Sequence, residues 1–396
     1  MEFTLKQEEA IRVTTERYNR GEKYTVISGY AGTGKSTSVA AIVQSLPHID
    51  PDVDVVYTSF TGKAVNVLRQ KGNKNVSTLH RLLYMHKMLP NGKFIKTNVD
   101  FIPYRVVVVD EVSMVSMELI QDLFKYPVYV IFLGDPGQLP PIDKKNDNHL
   151  LDTPHIFLEE VVRQAAESDI IRLTMQIRDH KPIAYQKSNE VIVASKGDLS
   201  EGMLSWADIV LCGTNRVRNS LNQQMRELCG MRPEVLVDEG EKIICLQNYW
   251  EHTAGDDGPP LMNGTIGYAS NVFEQNFYPP KGMRIKDNKI PIISATFTSE
   301  IDDNFGIMDM DKYEFSQGKP YLSPQEHYRL YKNHNFSRLI PKSFTYGYAI
   351  TCHKAQGSEW EKVLVYEESF PYDKEEHARW LYTAATRSSK KLILIR

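Results

Sequence analysis

The stretch Gly29-Tyr-Ala-Gly-Thr-Gly34-Lys35-Ser36 decides the fold of the chain. The β-branched, apolar residues 24–28 that precede it predict a buried parallel strand. Residues 37–46 predict a helix, and Pro47 ends it. A strand, a glycine loop, Lys-Ser and a helix together form a phosphate-binding loop in its required context. The sequence therefore predicts an α/β domain that binds nucleotide phosphates, rather than a glycine-rich turn without a nucleotide.

Two side chains of this loop have expected contacts of their own. Lys35 is expected to reach the β- and γ-phosphates, and the Ser36 hydroxyl is expected to bind magnesium. The other nucleotide-binding candidates of the loop are Gly29, Ala31, Gly32, Thr33, Gly34 and Thr37. Gln7 lies about twenty residues upstream, and its amide can pair with both polar groups of an adenine edge. A lone glutamine is more often a plain surface residue.

The composition bounds the class of protein. A chain of 396 residues with 41% hydrophobic and 24% charged residues predicts a globular protein with two or more domains. The net charge of −3 means that any nucleic-acid site must concentrate its positive charge in a groove. The sequence shows no apolar run of 18 residues and no signal or transit peptide, and its four cysteines are widely spaced. These features predict reduced thiols and a cytoplasmic location.

An acidic pair follows a second predicted buried strand, residues 106–109. Asp110 and Glu111 stand at the carboxyl end of that strand, where they can face the glycine loop. Asp110 is expected to hold magnesium, and Glu111 to orient and deprotonate an attacking water. The alternative is an acidic pair at the start of a helix. Gln138 follows the predicted strand 128–133 and is expected to sense the γ-phosphate and couple hydrolysis to motion.

Further elements of the first half are predicted from their patterns. Residues 4–19 predict an amphipathic helix with Leu5, Ile11 and Tyr18 as apolar contacts. The predicted strand 53–58 leads into a turn and a helix over residues 64–70. Near this sheet edge, Phe60 can offer a stacking face, and Thr61 and Lys63 can reach phosphates. Thr78 and His80 would, by themselves, most often be a helix cap and a satisfied histidine.

A second α/β unit without a phosphate loop is predicted after residue 158. Its predicted strands are residues 209–212, 241–246, 363–366 and 391–395, and its predicted helices are residues 217–228 and 379–386. Two segments interrupt the α/β pattern. An Asn-Gly turn within residues 84–103 predicts a hairpin, and residues 248–342 predict a β-rich insertion.

The order of the motifs resembles that of the superfamily 1B DNA helicases, most closely the phage Dda-like and bacterial RecD-like branch. The matching blocks are Gln7, Gly-Tyr-Ala-Gly-Thr-Gly-Lys-Ser, Phe-Thr-Gly-Lys-Ala, Ser-Thr-Leu-His, Asp-Glu-Val-Ser-Met, Gly-Asp-Pro-Gly-Gln-Leu-Pro-Pro, Glu-Val-Val-Arg-Gln, Ile-Thr-Cys-His-Lys-Ala-Gln-Gly-Ser-Glu and Tyr-Thr-Ala-Ala-Thr-Arg. The resemblance implies an α/β fold with two RecA-like parallel-sheet domains in tandem. It implies domain 1A at residues 1–83 and 104–158, a 1B pin hairpin at 84–103, domain 2A at 159–247 and 343–396, and an SH3-like 2B insertion at 248–342.

The resemblance also implies an activity and site residues. It implies an ATP- and Mg²⁺-dependent helicase that moves 5′ to 3′ on single-stranded DNA and unwinds tailed duplexes. Arg163 and Arg387 would be arginine fingers, and Gly357 and Glu359 would contact the nucleotide. The first domain's DNA contacts would be Phe60, Thr61, Lys63, Thr78 and His80, and the second domain's would be Asn215, Thr351, His353 and Lys354. The strand-separating pin would be formed by Met88, Leu89 and Pro90. A plain structural hairpin is the alternative for the pin.

The resemblance leaves several readings of the chain open. It favours a monomer encoded by a phage, acting in the host cytoplasm, with replication or recombination partners such as a single-strand-binding protein. The alternatives are a translocase that unwinds poorly and remodels protein–DNA or recombination intermediates, a phosphate-loop kinase, and a binding scaffold with a dead site. The aromatic residues of the β-rich region either contact DNA or partner proteins or form a small local core; they are Tyr313, Phe315, Tyr321, Tyr328, Tyr331 and Phe336.

Overall fold

The computed structural model describes most of the chain. The described residues are 3–88, 94–140, 148–162, 167–255, 258–279, 285–301, 303–326, 340–369 and 373–396. The chain forms two units. The first comprises Met1–Met85, Asn98–Gly213 and Thr351–Arg396, and the second comprises His86–Thr97 and Thr214–Ile350. Within the described ranges, no helix has both the length and the apolar character that crossing a membrane requires.

Helices and strands alternate through the first half of the chain. The helices are α1 (Leu5–Asn19), α2 (Lys35–Ser45), α3 (Gly62–Gln70), α4 (Leu79–Leu83), α5 (Met117–Leu123), α6 (Asp169–Arg178), α7 (Glu201–Trp206), α8 (Asn215–Leu228), α9 (Lys312–Gln317), α10 (Cys352–Ala355) and α11 (Lys374–Ala385). The strands are β1 (Tyr24–Gly29), β2 (Val55–Ser59), β3 (Val76–Thr78), β4 (Tyr84–Met88), β5 (Phe94–Asn98), β6 (Val106–Asp110), β7 (Tyr129–Gly134), β8 (Ile156–Leu158), β9 (Gln186–Lys187), β10 (Val191–Ala194), β11 (Ile209–Cys212), β12 (Lys242–Cys245), β13 (Tyr249–Thr253), β14 (Pro260–Leu261), β15 (Ile266–Phe277), β16 (Ile290–Ser299), β17 (Asn304–Asp311), β18 (Phe344–Tyr346), β19 (Ala349–Thr351), β20 (Trp360–Tyr366) and β21 (Ser388–Ile395).

The first sheet lies in the first unit and carries the glycine loop. Its strand order is β3-β2-β6-β7-β1-β8, and its paired strands run parallel. β6 and β7 are buried along their apolar residues, as expected of a sheet covered on both faces. The carboxyl ends of β1, β6 and β7 therefore meet at one edge, which places the glycine loop, the acidic pair and the turn after β7 together.

The N-terminal helix forms as predicted, but its buried face differs from the prediction. Thr4 caps the helix in a capping box with Gln7, and the buried residues of α1 are Gln7, Ala10 and Thr14. Leu5 is 78% exposed, so its predicted apolar contact is wrong. It lies two residues before Gln7, which is about 200° around a helix of 3.6 residues per turn. Ile11 and Tyr18 do pack against the core.

The second sheet has the strand order β19-β11-β20-β21-β10-β9. The strands β11, β20, β21 and β10 pair in parallel, and only the short edge strand β9 is antiparallel among the recorded pairs of this sheet. Strands β11, β20 and β21 match predicted strands, whereas β10 was not predicted. The first unit thus contains a parallel sheet that carries the phosphate loop and a second, mostly parallel sheet.

One predicted strand belongs to a different sheet. β12, which was expected in the second α/β unit, pairs antiparallel with β15 and with β18. The resulting sheet has the order β17-β16-β15-β12-β18 and lies in the second unit. A four-residue buried strand carries no local sign of its partners, so the sequence could not assign it. The predicted hairpin strands also pair with each other, as β4 and β5.

Aromatic residues of the second unit contact one another. The ring centroids of Tyr313 and Tyr321 lie 4.8 Å apart, and those of Phe315 and Tyr346 lie 5.3 Å apart. These contacts favour the local aromatic core over a DNA-contact role for the three described residues. Tyr328, Tyr331 and Phe336 lie outside the described residues.

Candidate nucleotide and DNA site

The glycine loop has the backbone geometry of an anion-binding turn. Gly32 and Gly34 adopt left-handed φ values of 78° and 75°, which residues with side chains rarely adopt. A β-carbon on Gly34 would also lie 2.3 Å from Gln7 Nε2. Ser36 and Thr37 are exposed in the first turn of α2, where the helix dipole favours an anion. Lys35 Nζ donates to the carbonyls of Gly29 and Tyr30, at 2.7 and 2.9 Å.

Gln7 is buried against this loop. Only 3% of it is exposed, so the surface interpretation of this residue is wrong. Its Oε1 accepts from the Thr4 backbone N–H at 3.0 Å, and its Nε2 donates to the Thr33 carbonyl at 3.2 Å. A primary amide has two donor hydrogens and two acceptor lone pairs, so each atom keeps capacity for one more hydrogen bond.

The acidic pair stands at the end of β6, as predicted. Asp110 Oδ1 accepts from the Glu111 backbone N–H at 2.9 Å. Burial, and then the neighbouring charge of Glu111, raise the pKa of Asp110 to about 6, while the Lys71 and Lys35 ammonium groups act in the opposite direction. Glu111 itself has a φ of 53°, in the left-handed region, directly before a 3₁₀ turn. Such a conformation is uncommon outside glycine and is frequent at functional sites.

Gln138 joins the acidic pair to Arg387. With its amide oriented to satisfy both neighbours, Gln138 donates to Glu111 Oε2 at 3.3 Å and accepts from Arg387 Nη2 at 3.2 Å. Arg387 is 5% exposed, and its other donors bind the carbonyls of Thr383 and Ser358 at 3.1 and 3.2 Å. Because these partners fix the guanidinium plane, Arg387 presents a pre-organised cation beside the Glu111 carboxylate.

These groups surround one cavity of about 240 Å³ in the first unit. Its lining residues come from both parallel sheets and the elements that follow their strands; they are Ala31, Gly32, Lys35, Ala64, Val67, Leu68, Lys71, Asp110, Glu111, Asp135, Gln138, Gly357, Ser358, Glu359, Thr386 and Arg387. The structure therefore brings Lys35, the acidic pair, Gln138, Gly357, Glu359 and Arg387 together around one cavity. A triphosphate-sized cleft with a cation on either side can hold an anionic ligand.

Three residues near this cavity were not predicted. Asp135 follows β7 and is 1% exposed, and Tyr382 on α11 is 2% exposed and donates to the Asp135 carboxylate at 2.8 Å. Lys71, at the end of α3, lines the cavity near Asp110. Asp135 had a sequence signal, since it follows a predicted strand at the same sheet edge as Asp110. Tyr382 lies within an apolar helix, and its pattern alone indicates only core packing.

The predicted DNA contacts of the first sheet have structural partners. Thr61 and Thr78 cap α3 and α4 through hydrogen bonds from Ala64 N and Arg81 N, both at 3.2 Å. The rings of Phe60 and His80 lie 5.4 Å apart at their centroids, in an edge-to-face arrangement.

Lys63 also has a described neighbour from the second sheet. Its Nζ stands 3.8 Å from the centroid of the Trp360 ring. The Phe60 and His80 rings together could stack a base, whereas Lys63 lies against the indole in this structure.

The remaining predicted contacts lie in separate places. Asn215 is exposed in the first turn of α8, in the second unit. Thr351, at the start of α10, is 9% exposed, and burial lowers the pKa of His353. Lys354 lies on the same short helix. Arg163, Leu89 and Pro90, together with the side chain of Met88, lie outside the described residues.

The donor set at the acidic pair fits magnesium. Mg²⁺ is usually held by one or two carboxylates with phosphate oxygens and waters, rather than by a cage of protein ligands. Asp110 supplies a half-buried carboxylate that lines the cavity, and Ser36 supplies a hydroxyl at the start of α2. In the described part of the chain, no group of three or more His, Cys, Asp and Glu side chains is placed to hold a metal ion by itself. The two oxygen donors suit an ion that completes its shell on a bound nucleotide.

Two family models match the chain. Residues 2–196 match an AAA domain, and residues 346–395 match a UvrD-like helicase C-terminal domain. The fold and the cavity define a protein with two RecA-like sheets and a phosphate-binding loop in the first.

Curated relatives cover the chain to different extents. The ATP-dependent DNA helicase dda of Enterobacteria phage T4 is 27% identical, and the alignment covers 98% of this chain and 97% of that protein. The ATP-dependent RecD2 DNA helicase of Deinococcus radiodurans is 26% identical over 93% of this chain, which spans 46% of the relative. The chain likewise spans less than half of several other curated relatives that it matches.

Solved structures show the same fold. The Pif1 helicase from Bacteroides in complex with ADP-AlF3 and single-stranded DNA aligns with a TM-score of 0.53 and 16% identity, covering 100% of this chain and 92% of that one. The Pif1 helicase from Candida albicans aligns with a TM-score of 0.51 and 18% identity, covering 100% of this chain and 94% of that one. Together, the two family models, the curated relatives and the shared fold support a helicase of the Dda, RecD and Pif1 type.

Proposed function

We propose that this chain is an ATP-dependent DNA helicase that moves 5′ to 3′ on single-stranded DNA and unwinds duplex DNA. The observation that carries the proposal is the cavity in which Lys35, Asp110 and Glu111 of the first sheet face Arg387 of the second. The similarity to the phage T4 helicase over nearly the whole of both chains supports it. The direction of travel follows the family resemblance.

Each residue of the cavity has a proposed role in hydrolysis. Lys35 and the loop amides bind the β- and γ-phosphates, and Glu111 orients and deprotonates the attacking water. Arg387 stabilises the negative charge that develops on the transferred phosphoryl group, and Arg163 is proposed as a second finger. Gln138 contacts both Glu111 and Arg387, which suits a sensor of the γ-phosphate. Mg²⁺, held by Ser36 and Asp110, would neutralise phosphate charge.

Movement follows if the cleft closes on ATP. The γ-phosphate would join Lys35 of the first sheet to Arg387 of the second, and hydrolysis would remove that link. A strand moves one way if one domain holds DNA better in the closed state and the other in the open state. We propose Phe60, Thr61, Lys63, Thr78 and His80 as contacts of the first domain, and Asn215, Thr351, His353 and Lys354 as contacts of the second.

We also propose the domain division of the family for this chain. Residues 1–83 and 104–158 would form domain 1A, 84–103 the 1B pin, 159–247 and 343–396 domain 2A, and 248–342 the 2B insertion. The flanking strands β12 and β18 pair with the sheet of the β-rich region, which supports a 2B element anchored at both of its ends. We further propose that the protein acts as a monomer in the cytoplasm and meets a single-strand-binding protein on DNA.

The first experiment is unwinding of a labelled duplex that carries either a 5′ or a 3′ single-stranded tail, with ATP and magnesium. Lys35→Ala is the control. Unwinding of the 5′-tailed duplex alone, abolished by Lys35→Ala, is the expected result. Unwinding from the 3′ tail alone would contradict the proposed direction.

The second candidate is a single-stranded DNA translocase that remodels protein–DNA or recombination intermediates and unwinds weakly. It shares every residue of the cavity, so only duplex substrates distinguish it. ATP hydrolysis stimulated by single-stranded DNA, with neither tailed duplex unwound, would favour it.

A Leu89→Ala/Pro90→Ala variant tests the pin. We expect this variant to lose unwinding while its DNA-stimulated ATP hydrolysis stays unchanged. Unchanged unwinding would contradict the pin assignment.

A further inference from the structure

The hydroxyl of Tyr382 connects three elements of the first unit. It accepts a hydrogen bond from the Ala31 backbone N–H in the glycine loop at 2.8 Å. It donates to Asp135 Oδ2 in the turn after β7, also at 2.8 Å. Tyr382 belongs to α11, the helix that leads to Arg387. A hydroxyl can accept and donate at once, which neither a phenylalanine ring nor an ammonium group can do.

The Asp135 carboxylate is itself held by a second hydrogen bond. Asp135 Oδ1 accepts from the Gly137 backbone N–H at 2.9 Å, so both carboxylate oxygens have partners. Gly137 also packs directly on the tyrosine ring, because a β-carbon there would lie 3.0 Å from Tyr382 Cε1. The ring and the hydroxyl of Tyr382 therefore both contact the turn that carries Gln138.

Two neighbouring hydrogen bonds hold the same turn, one from α11 and one from the residue that follows α10. Thr383 Oγ1 accepts from the Leu139 backbone N–H at 2.9 Å, and Gln356 Nε2 donates to the Leu139 carbonyl at 2.8 Å. Arg387 follows Tyr382 by five residues, and its Nε donates to the Thr383 carbonyl at 3.1 Å. The position of Arg387 is thus linked through α11 to the residues that hydrogen-bond the turn after β7.

We propose that Tyr382 is a positioning residue for ATP hydrolysis. Tyr382 joins the glycine loop to Asp135 and thereby sets the positions of Gln138 and Arg387 relative to the nucleotide. The inference rests on the proposed ATP-hydrolysing function and adds a residue to it. Tyr382 acts through its partners and is not a catalytic residue. Without the hydroxyl, the Ala31 N–H and Asp135 Oδ2 each lose their described partner, and α11 can shift relative to the glycine loop.

The test is Tyr382→Phe, with Tyr129→Phe as the matched control. Tyr129 is also a buried tyrosine whose hydroxyl bonds two groups, Thr25 Oγ1 and the Thr14 carbonyl, but it lies in the core of the first sheet. We expect Tyr382→Phe to lower kcat of ATP hydrolysis, measured with saturating single-stranded DNA, by about tenfold, as the loss of a buried hydrogen bond implies. The KM for ATP should stay within about twofold, because loop contacts to the phosphates persist. Tyr129→Phe should keep the wild-type kcat.

A double-mutant cycle separates positioning from simple destabilisation. Asp135→Ala removes the acceptor of the Tyr382 hydroxyl, so Tyr382→Phe should lower kcat far less in that background than in the wild type. If the kcat of the double variant falls by the product of the two single-variant factors, the inference is overturned. Equal kcat values for Tyr382→Phe and Tyr129→Phe would also overturn it. Thermal unfolding midpoints of the two tyrosine variants check that they are similarly folded. Absence of hydrolysis by the wild-type chain would instead overturn the proposed function, and this inference with it.

Discussion

With the Gln138 amide oriented to satisfy both of its neighbours, its oxygen lies 3.2 Å from Arg387 Nη2, although the two residues flank strands of different sheets. Gln138 follows β7 of the first sheet, whereas Arg387 directly precedes β21 of the second. The same glutamine amide donates to Glu111. An arginine that would stabilise the reaction and a carboxylate that would activate water are therefore connected through one side chain.

Replacing Arg387 with lysine should nearly abolish ATP hydrolysis. Lysine keeps the charge, but it cannot reproduce the planar set of donors that bind Thr383, Ser358 and Gln138. We expect kcat to fall by about 10³-fold, within the range for arginine fingers, with a small change in the KM for ATP. Arg379→Lys on α11, where the arginine pairs with Glu375, should behave as wild type. Equal rates for the two lysine variants would contradict the assignment.

Gln138→Ala should uncouple unwinding from hydrolysis. The change removes the side chain that bonds both Glu111 and Arg387 and alters neither of those two residues. We expect more ATP to be hydrolysed for each base pair unwound, with kcat lowered by about tenfold. Simultaneous measurement of phosphate release and duplex unwinding gives this ratio. Gln223→Ala, an exposed glutamine on α8, is the control, and an unchanged ratio in Gln138→Ala would rule out the sensor role.

Gln7→Ala tests recognition of the adenine base. Both amide atoms of Gln7 retain capacity for one more hydrogen bond beside the glycine loop. If that capacity serves adenine, the variant should raise the KM for ATP by about tenfold and leave the KM for GTP nearly unchanged. Steady-state hydrolysis of the two nucleotides measures the difference. Parallel increases in both KM values would show that Gln7 acts only by supporting Thr33.

Asp238→Asn should destabilise the second unit in a pH-dependent way. Hydrogen bonds from the Arg232 side chain and backbone hold the pKa of Asp238 well below its ordinary value of about 3.9. A carboxyl with a lowered folded pKa stabilises the folded state above its unfolded pKa, and that contribution is lost as the pH falls toward the folded value. The gap in thermal unfolding midpoint between wild type and variant should therefore be larger at pH 7 than in strong acid.

The control for this pH effect is Glu234→Gln, which alters an exposed carboxyl nearby. Its midpoint should follow that of the wild type at both pH values. A gap for Asp238→Asn that stays constant, or widens in acid, would show that the carboxylate charge contributes nothing to stability.

Much of the first sheet could be predicted from sequence because its signals are local. A β-branched run followed by a glycine loop or an acidic pair identifies β1 and β6 without reference to distant residues. The face of α1 that packs inward was less predictable, and Leu5 is exposed because the capping box sets the helix rotation through Gln7. The partners of β12 were beyond prediction, since four buried residues can pair in either sheet.

The sequence by itself determined the phosphate loop, the acidic pair, Gln138 and the α/β class of fold, because each is a short pattern whose chemistry depends on neighbours in the chain. Arg387 entered only through the family resemblance. Only the tertiary structure decided that Tyr382 bonds both Ala31 and Asp135, and that Gln138 reaches Glu111 and Arg387. Those contacts join residues up to 351 positions apart, as Ala31 and Tyr382 are. Hydrogen bonds over such separations depend on how two sheets pack, which no local pattern encodes.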